Sequence, residues 1–325
     1  MPESSVSPSF NWLLGQGPDP EALGRLAKAF AKPKEPMGEA WFMGEERELY
    51  SELLGDLSTL ADEQLRKPLE EIACGTSSFG PMSEWIDWYH YLLPRLLVRD
   101  WDWHLFHPVE LLVTGFIGQH PISAGSQPYP AFHADALATL GQYIMSPSFW
   151  QVSDSEVPKC LNKWRGPNGI SGWYRVDGLM SASLFYCLKY LPADLVGPWF
   201  QSALSIPNKY WRAQMITWLV GAHPILITEI GQPAELRDDV HFEVGWEWSH
   251  CLDGHYTGIY EPPIHLATFL PAENCQAVLE IARTRETLEL CVDVLTDPEL
   301  EPVFAETAGL PDYFQNLYGA DALNG

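Results

Sequence analysis

Apolar residues recur at three- and four-residue spacing along most of the chain, the pattern of helices that each bury one face. The clearest run follows Gly80-Pro81, where Trp85, Trp88, Tyr89, Leu92, Leu93 and Leu96 form one broad apolar face and Pro94 is expected to bend it. Asp19-Pro20-Glu21 predicts a helix start: Asp19 as N-cap, Pro20 in the first turn, Glu21 against the helix dipole. Leu23, Leu26 and Phe30 then share a face. Between Leu60 and Ala73 the face is Leu65, Leu69 and Ile72, with a kink expected at Pro68. His107 to Ile117 is apolar nearly all round, which predicts a fully buried helix. Further helices are predicted from Asp177 onward through Met180, Leu184, Cys187, Leu188 and Leu191, and around Trp211, Met215, Trp218 and Leu219. A last one carries Leu288, Cys291, Val292 and Leu295 and closes at Asp297-Pro298.

Two stretches depart from this rule. Residues 146–178 hold Ser-Pro, Gly-Pro-Asn-Gly and Val-Asp-Gly, which is turn chemistry, and read as a long connection. In Val240 to Trp248, Val240, Phe242, Val244, Trp246 and Trp248 alternate with His241, Glu243, Gly245 and Glu247, a period-two pattern that predicts a strand or an extended loop. No repeat of 20 to 50 residues is visible. The fold expected is mainly α: antiparallel helices in stacked layers, as a bundle or loose α-solenoid, with at most a short β element. Residues 1–325 are read as one helical domain, with room for an internal joint near 146–178.

Charge narrows the partners. Acidic residues number 43 against 19 basic ones, a formal charge of −24. Phosphate neutralisation needs clustered Lys and Arg, so nucleic acid is not expected as a partner, and neither is an anionic membrane surface. The bias is strongest at the end: from Glu286 onward there are nine acidic residues and no basic one. No apolar run reaches the roughly 18 residues of a membrane span. The start, Met1-Pro2-Glu3-Ser4-Ser5, has no basic or apolar signal core, so a cytoplasmic location is expected. Cys74, Cys160, Cys187, Cys251, Cys275 and Cys291 are scattered without a Cys-x-x-Cys pair and read as buried thiols, neither disulfides nor metal ligands.

Catalytic signatures are missing. There is no Gly-x-Ser-x-Gly, no Gly-x-Gly-x-x-Gly, no P-loop and no His-Glu-x-x-His. The densest polar cluster is His241, Glu243, Glu247, His250, Asp253, His255, Glu261 and His265. Its residue types suit a divalent cation, but the spacings match no metal motif, so no metal and no cofactor are expected and surface hydrogen bonding is the simpler reading. Carboxylates sit beside tryptophans at Glu84-Trp85, Asp87-Trp88, Asp100-Trp101-Asp102-Trp103 and Glu247-Trp248. Glycoside hydrolases use paired carboxylates and aromatic platforms, which makes a helical-toroid glycoside hydrolase the alternative reading. Against it, Trp85 and Trp88 already lie on an apolar helix face, where core packing is the ordinary role. Arg95 reads as the partner of Asp87, Asp100 or Asp102 in a buried ion pair. Cys74 as a nucleophile would need a partnered His that the sequence does not locate.

Cys74-Gly75-Thr76 together with Tyr91-Leu92-Leu93-Pro94-Arg95-Leu96-Leu97 resembles a loosely defined group of uncharacterised bacterial helical proteins, which implies helices and no activity. The overall profile, acidic, signal-free and without catalytic motifs, resembles the cytoplasmic immunity proteins of bacterial polymorphic toxin systems. That resemblance implies a non-enzymatic protein that binds and occludes a basic toxin domain through an acidic surface. The expected contact residues are Asp238, Asp239, Glu243, Trp246, Glu247, Trp248, Asp253 and Tyr256, where acids and large rings coincide outside the helical pattern.

Overall fold

The structure is a computed structural model that describes residues 12–38, 49–79, 82–101, 108–121, 127–152, 157–161, 163–165, 171–173, 177–236, 244–252, 268–304 and 309–319. The fold is mainly α. In chain order the helices are α1 (Pro20–Ala29), α2 (Asp62–Glu70), α3 (Thr76–Phe79), α4 (Ser83–Leu96), α5 (Val109–Gln119), α6 (Phe132–Thr139) and α7 (Asp177–Tyr190). They continue with α8 (Ala193–Leu204), α9 (Lys209–Gly221), α10 (His223–Leu226), α11 (Ala272–Ala282), α12 (Arg285–Leu295), α13 (Glu301–Phe304) and α14 (Leu310–Phe314). No helix among the described residues is long and apolar enough to cross a membrane.

The expected faces are largely the observed ones. Asp19 caps α1 by accepting the Ala22 N–H at 2.6 Å, and Leu26 is fully buried behind it. On α4, Trp85, Trp88, Tyr89, Leu92, Leu93 and Leu96 are all buried. Pro94 sits inside α4 and the helix runs only two residues past it, to Leu96. Past Pro68, α2 widens into a π-helical turn, Glu71–Gly75, which leads directly into α3. The run that is apolar all round becomes α5, buried from Leu111 through Ile117. This helix packs on α7, on the π turn before α3 and on the 3-10 turn Glu247–Leu252, so it lies where several layers meet. On one side α1 packs against α4 and α6; on the other α8 packs on α11, and α9 on α12 and α14. Buried residues from Leu26 to Tyr318 join into one hydrophobic cluster.

The β element lies elsewhere than expected. The alternating stretch from Val240 to Trp248 predicts a strand or an extended loop, and its described part, Val244, Gly245 and Trp246, is without regular structure and leads into the 3-10 helix Glu247–Leu252. Residues 240–243 lie outside the described residues. The alternation still decides burial here: Val244 and Trp246 are buried while Glu247 is exposed. The ring of Trp246 lies 5.9 Å from the ring of Phe185 and 6.3 Å from that of Phe269, and its indole N–H donates to Thr114 Oγ1 at 3.1 Å. A two-stranded antiparallel hairpin forms instead at β1 (Lys163–Arg165) and β2 (Ser171–Trp173), paired Lys163 to Trp173 and Arg165 to Ser171. It falls in the turn-rich stretch that the sequence marks as a long connection.

Candidate functional site

Of the eight expected contact residues, Asp238, Asp239, Glu243, Asp253 and Tyr256 lie outside the described residues. Glu247 is exposed, as a contact residue must be. Trp248 is partly buried against the core. Trp246 is a correction: at 3% exposure it has no surface to offer a partner, because its indole is anchored on Thr114. The start of this segment is tied to α5 by one further bond, from the Glu247 N–H to Glu110 Oε2 at 3.1 Å. Burial lifts the Glu110 carboxyl to about 7; the N–H bond opposes the shift and the neighbouring Glu247 charge adds to it.

The same 3-10 turn carries a second arrangement that the spacing of the sequence did not reveal. Cys251 is joined to Cys74, which sits on the π turn, with the two Cα atoms 5.0 Å apart across 177 residues of sequence. This corrects the expectation of six unpaired thiols. Cys160, Cys187, Cys275 and Cys291 are free and buried, as expected. Burial raises the Cys160 and Cys291 thiols to about 12, well away from nucleophilic thiolates at neutral pH. His250 completes the group: one donor atom each from Cys74, His250 and Cys251 lie within 4.8 Å of one another. His250 Nδ1 lies 2.7 Å from the Glu247 carbonyl oxygen, and Cys251 Sγ is 3.5 Å from a nitrogen of the same ring, Nε2. Of the earlier metal candidates, His250 and Glu247 are described; His241, Glu243, Asp253, His255, Glu261 and His265 lie outside the described residues.

A third group sits in the interior. His90 and His120 stack with ring centroids 5.3 Å apart and share an Nε2···Nε2 hydrogen bond of 3.0 Å, so one ring donates and the other accepts. Phe30, Phe116 and Phe132 surround them, with His133 against His120. Burial lowers His90 to about 3 and His120 to about 4, and it also lowers His133. All three are therefore neutral near pH 7.

Of the tryptophans beside carboxylates on which the alternative hydrolase rests, Trp85, Trp88 and Trp101 have no face to offer a sugar ring, while Trp248, beside exposed Glu247, is only partly buried. Trp85 and Trp88 are fully buried, and their indoles donate to the backbone carbonyls of Gly38 and Glu35. Trp101 is buried too and donates to the Leu96 carbonyl. Asp102 and Trp103 lie outside the described residues. Arg95 donates to the carbonyls of Tyr91 and Ala27, and its guanidinium lies over the Tyr91 ring at 3.8 Å; among the described residues it makes no ion pair with Asp87 or Asp100, and Asp102 lies outside them.

The C-terminal helices carry an acidic surplus. Glu273 and Glu280 of α11, Glu286, Glu289 and Asp293 of α12, Glu301 of α13 and Asp312 of α14 are all exposed. Glu289 pairs with Arg285 within α12, and Lys209 of α9 pairs with Asp297 and Glu299. Among the described residues Glu273, Glu286, Asp293, Glu301 and Asp312 have no basic partner. Two large apolar side chains of the same helices are exposed, Val292 at 52% and Tyr313 at 42%. Val292 was expected on the buried face of its helix, but that face is formed by Thr287, Cys291 and Val294. No protein-family model, curated protein or solved structure matches the chain.

Proposed function

We propose that this is a non-enzymatic binding protein of the immunity type, which occludes a basic toxin domain with an acidic surface. One observation supports the reading above the others: α11 to α14 carry exposed acids without basic partners among the described residues, and the same helices expose Val292 and Tyr313. Exposed apolar side chains on helices that carry one sign of charge suit a partner with an apolar patch set in a basic field. The charges steer the encounter and the apolar contact holds it. Occlusion requires no chemistry on this side, in keeping with the absence of catalytic motifs in the sequence. The expected residues Glu247 and Trp248, with Asp238, Asp239, Glu243, Asp253 and Tyr256, form a second contact region in this proposal.

The test is binding of the full chain to the purified basic C-terminal domain of a toxin encoded beside it, followed by surface plasmon resonance across salt. The triple variant Glu286→Lys, Asp293→Lys, Asp312→Lys is expected to keep its fold, because exposed substitutions usually cost within about 0.5 kcal/mol each. Association should slow by about tenfold or more at low salt and lose most of its salt dependence. An unchanged association rate in the folded variant, with Tyr313→Ala also neutral, rules out this face. Failure of the unmodified chain to protect against the neighbouring toxin rules out the immunity reading itself.

A further inference from the structure

We propose that Cys74, Cys251 and His250 form a binding site for a thiophilic divalent cation of the zinc class, assembled when the Cys74–Cys251 disulfide is reduced. The site uses no residue of the α11 to α14 face, although Glu247 and Trp248 of the second contact region share its 3-10 turn.

The donor set is the first ground. Two cysteine sulfurs and an imidazole nitrogen, mutually within 4.8 Å, are the ligand types that select zinc over magnesium or calcium. Two thiolates with a neutral imidazole also balance the charge of a divalent ion. The second ground is the orientation of His250. A carbonyl oxygen can only accept, so the 2.7 Å contact between His250 Nδ1 and the Glu247 carbonyl requires the proton on Nδ1. The lone pair is then on Nε2, the nitrogen that lies 3.5 Å from Cys251 Sγ. Metal-binding histidines are held in this way, with the far nitrogen donating to a carbonyl or carboxylate. The third ground is local geometry. Cys74 stands on a π turn set within the α2 to α3 helical run, and such turns concentrate at functional sites. His250 and Cys251 are adjacent on a tight 3-10 turn, which brings two ligands from one short element toward the third.

Access differs among the three: His250 is exposed, Cys74 is half-buried and Cys251 is buried. That leaves a side open to solvent, where water can complete four-coordination, the arrangement of zinc sites with three protein ligands. Disulfide and metal exclude each other, because both use the same sulfurs. Reduction breaks the sulfur–sulfur bond: a dithiol supplies two electrons and two protons, leaves as its own disulfide, and yields two thiols. Binding of the cation then releases both thiol protons.

The test uses the full chain, oxidised or reduced with a dithiol and freed of reductant without air, titrated with cobalt(II) as the spectroscopic stand-in for zinc. The reduced chain should bind one cobalt ion with thiolate-to-metal charge-transfer absorption, and zinc should displace it. The oxidised chain should show no such band. Cys74→Ser should diminish the charge-transfer band, and His250→Ala, which removes a ligand outright, should weaken binding by at least the roughly 10- to 100-fold that loss of a ligand's orienting partner costs. His250 is exposed, so that variant keeps the question open to measurement even where a cysteine variant fails to fold. Three outcomes overturn the proposal: no charge-transfer band in the reduced, folded chain; equal affinity in His250→Ala; or a disulfide that resists reduction until the protein unfolds, which would make it purely structural.

Discussion

Glu110 shows how much one buried carboxyl can differ from its neighbours in sequence. It stands at the start of α5, accepts the Glu247 N–H, and holds its proton to about 7 where an ordinary carboxyl releases it near 4.5. Between those values the folded state binds more protons than the unfolded one, so this group's contribution to stability falls as pH rises. Glu110→Gln keeps an acceptor for the N–H and removes the charge. The variant should be more stable than the parent at pH 8, by on the order of 1–2 kcal/mol, and the difference should vanish toward pH 4.5. Urea unfolding of both proteins at the two pH values measures this; a variant less stable at pH 8 would mean that the carboxylate is a needed partner there. Gly178 enforces the same contact from the other side. A Cβ at that position would meet Glu110 Oε1 at 2.7 Å and the Gly245 carbonyl at 3.2 Å, so Gly178→Ala should be destabilising.

At the level of elements, joints between helices depend on polar groups that each helix lacks on its own. The final carbonyls of α7 have no partners within that helix. Asn274 of α11 supplies two donors, to Leu188 O at 2.6 Å and Leu191 O at 3.0 Å, from a position 1% exposed. Asn274→Ala should cost about 2–3 kcal/mol, since it leaves buried carbonyls unpaired as well as removing the amide. Thermal unfolding tests this, and a loss below about 0.5 kcal/mol would show that water replaces the amide. Asp135 performs a similar service between α6 and α1. It is buried and accepts from Arg25 at 2.6 Å and from Tyr129 Oη at 2.8 Å. The cap at Asp19 is more local, and Asp19→Ala should cost about 1 kcal/mol.

For the whole molecule, the histidine group should govern the acid limb of stability. Unfolded, His90 and His120 take up protons near the ordinary 6.5; folded, they stay neutral down to about 3 and about 4. Below pH 6.5 the unfolded state therefore binds more protons, and stability falls as the pH drops toward 4. Glu110 acts in the opposite direction over part of that range, but it is one group against two with shifts as large or larger. The −24 formal charge also relaxes on acidification, so the measurement belongs at high salt, where that repulsion is screened. Denaturant unfolding at pH 7, 6 and 5 should show a steady loss of stability, less steep in His90→Asn. A flat profile would mean that these rings are solvated in the folded protein.

What the sequence determined by itself was local. Periodicity is a property of neighbouring residues, so the buried faces of α4, α5, α7 and α9, the Asp19 cap and the mainly α class were legible before any packing was known. The acidic bias of the C-terminal residues was equally plain, although which side of α12 faces solvent was not, since Val292 lies outside and Cys291 inside. Tertiary structure decided the rest. Cys74 and Cys251 are 177 residues apart, and nothing in either neighbourhood distinguishes them from the four cysteines that stay free. They meet because the π turn and the Glu247–Leu252 turn both pack on α5. Trp246 and Trp248 carry the same ring two positions apart, and only the packing against Thr114 and Phe185 determines that the first is buried and the second partly exposed. Hydrogen-bond partners and ligand sets depend on which surfaces the packed helices bring face to face, and that information is distributed over the whole chain.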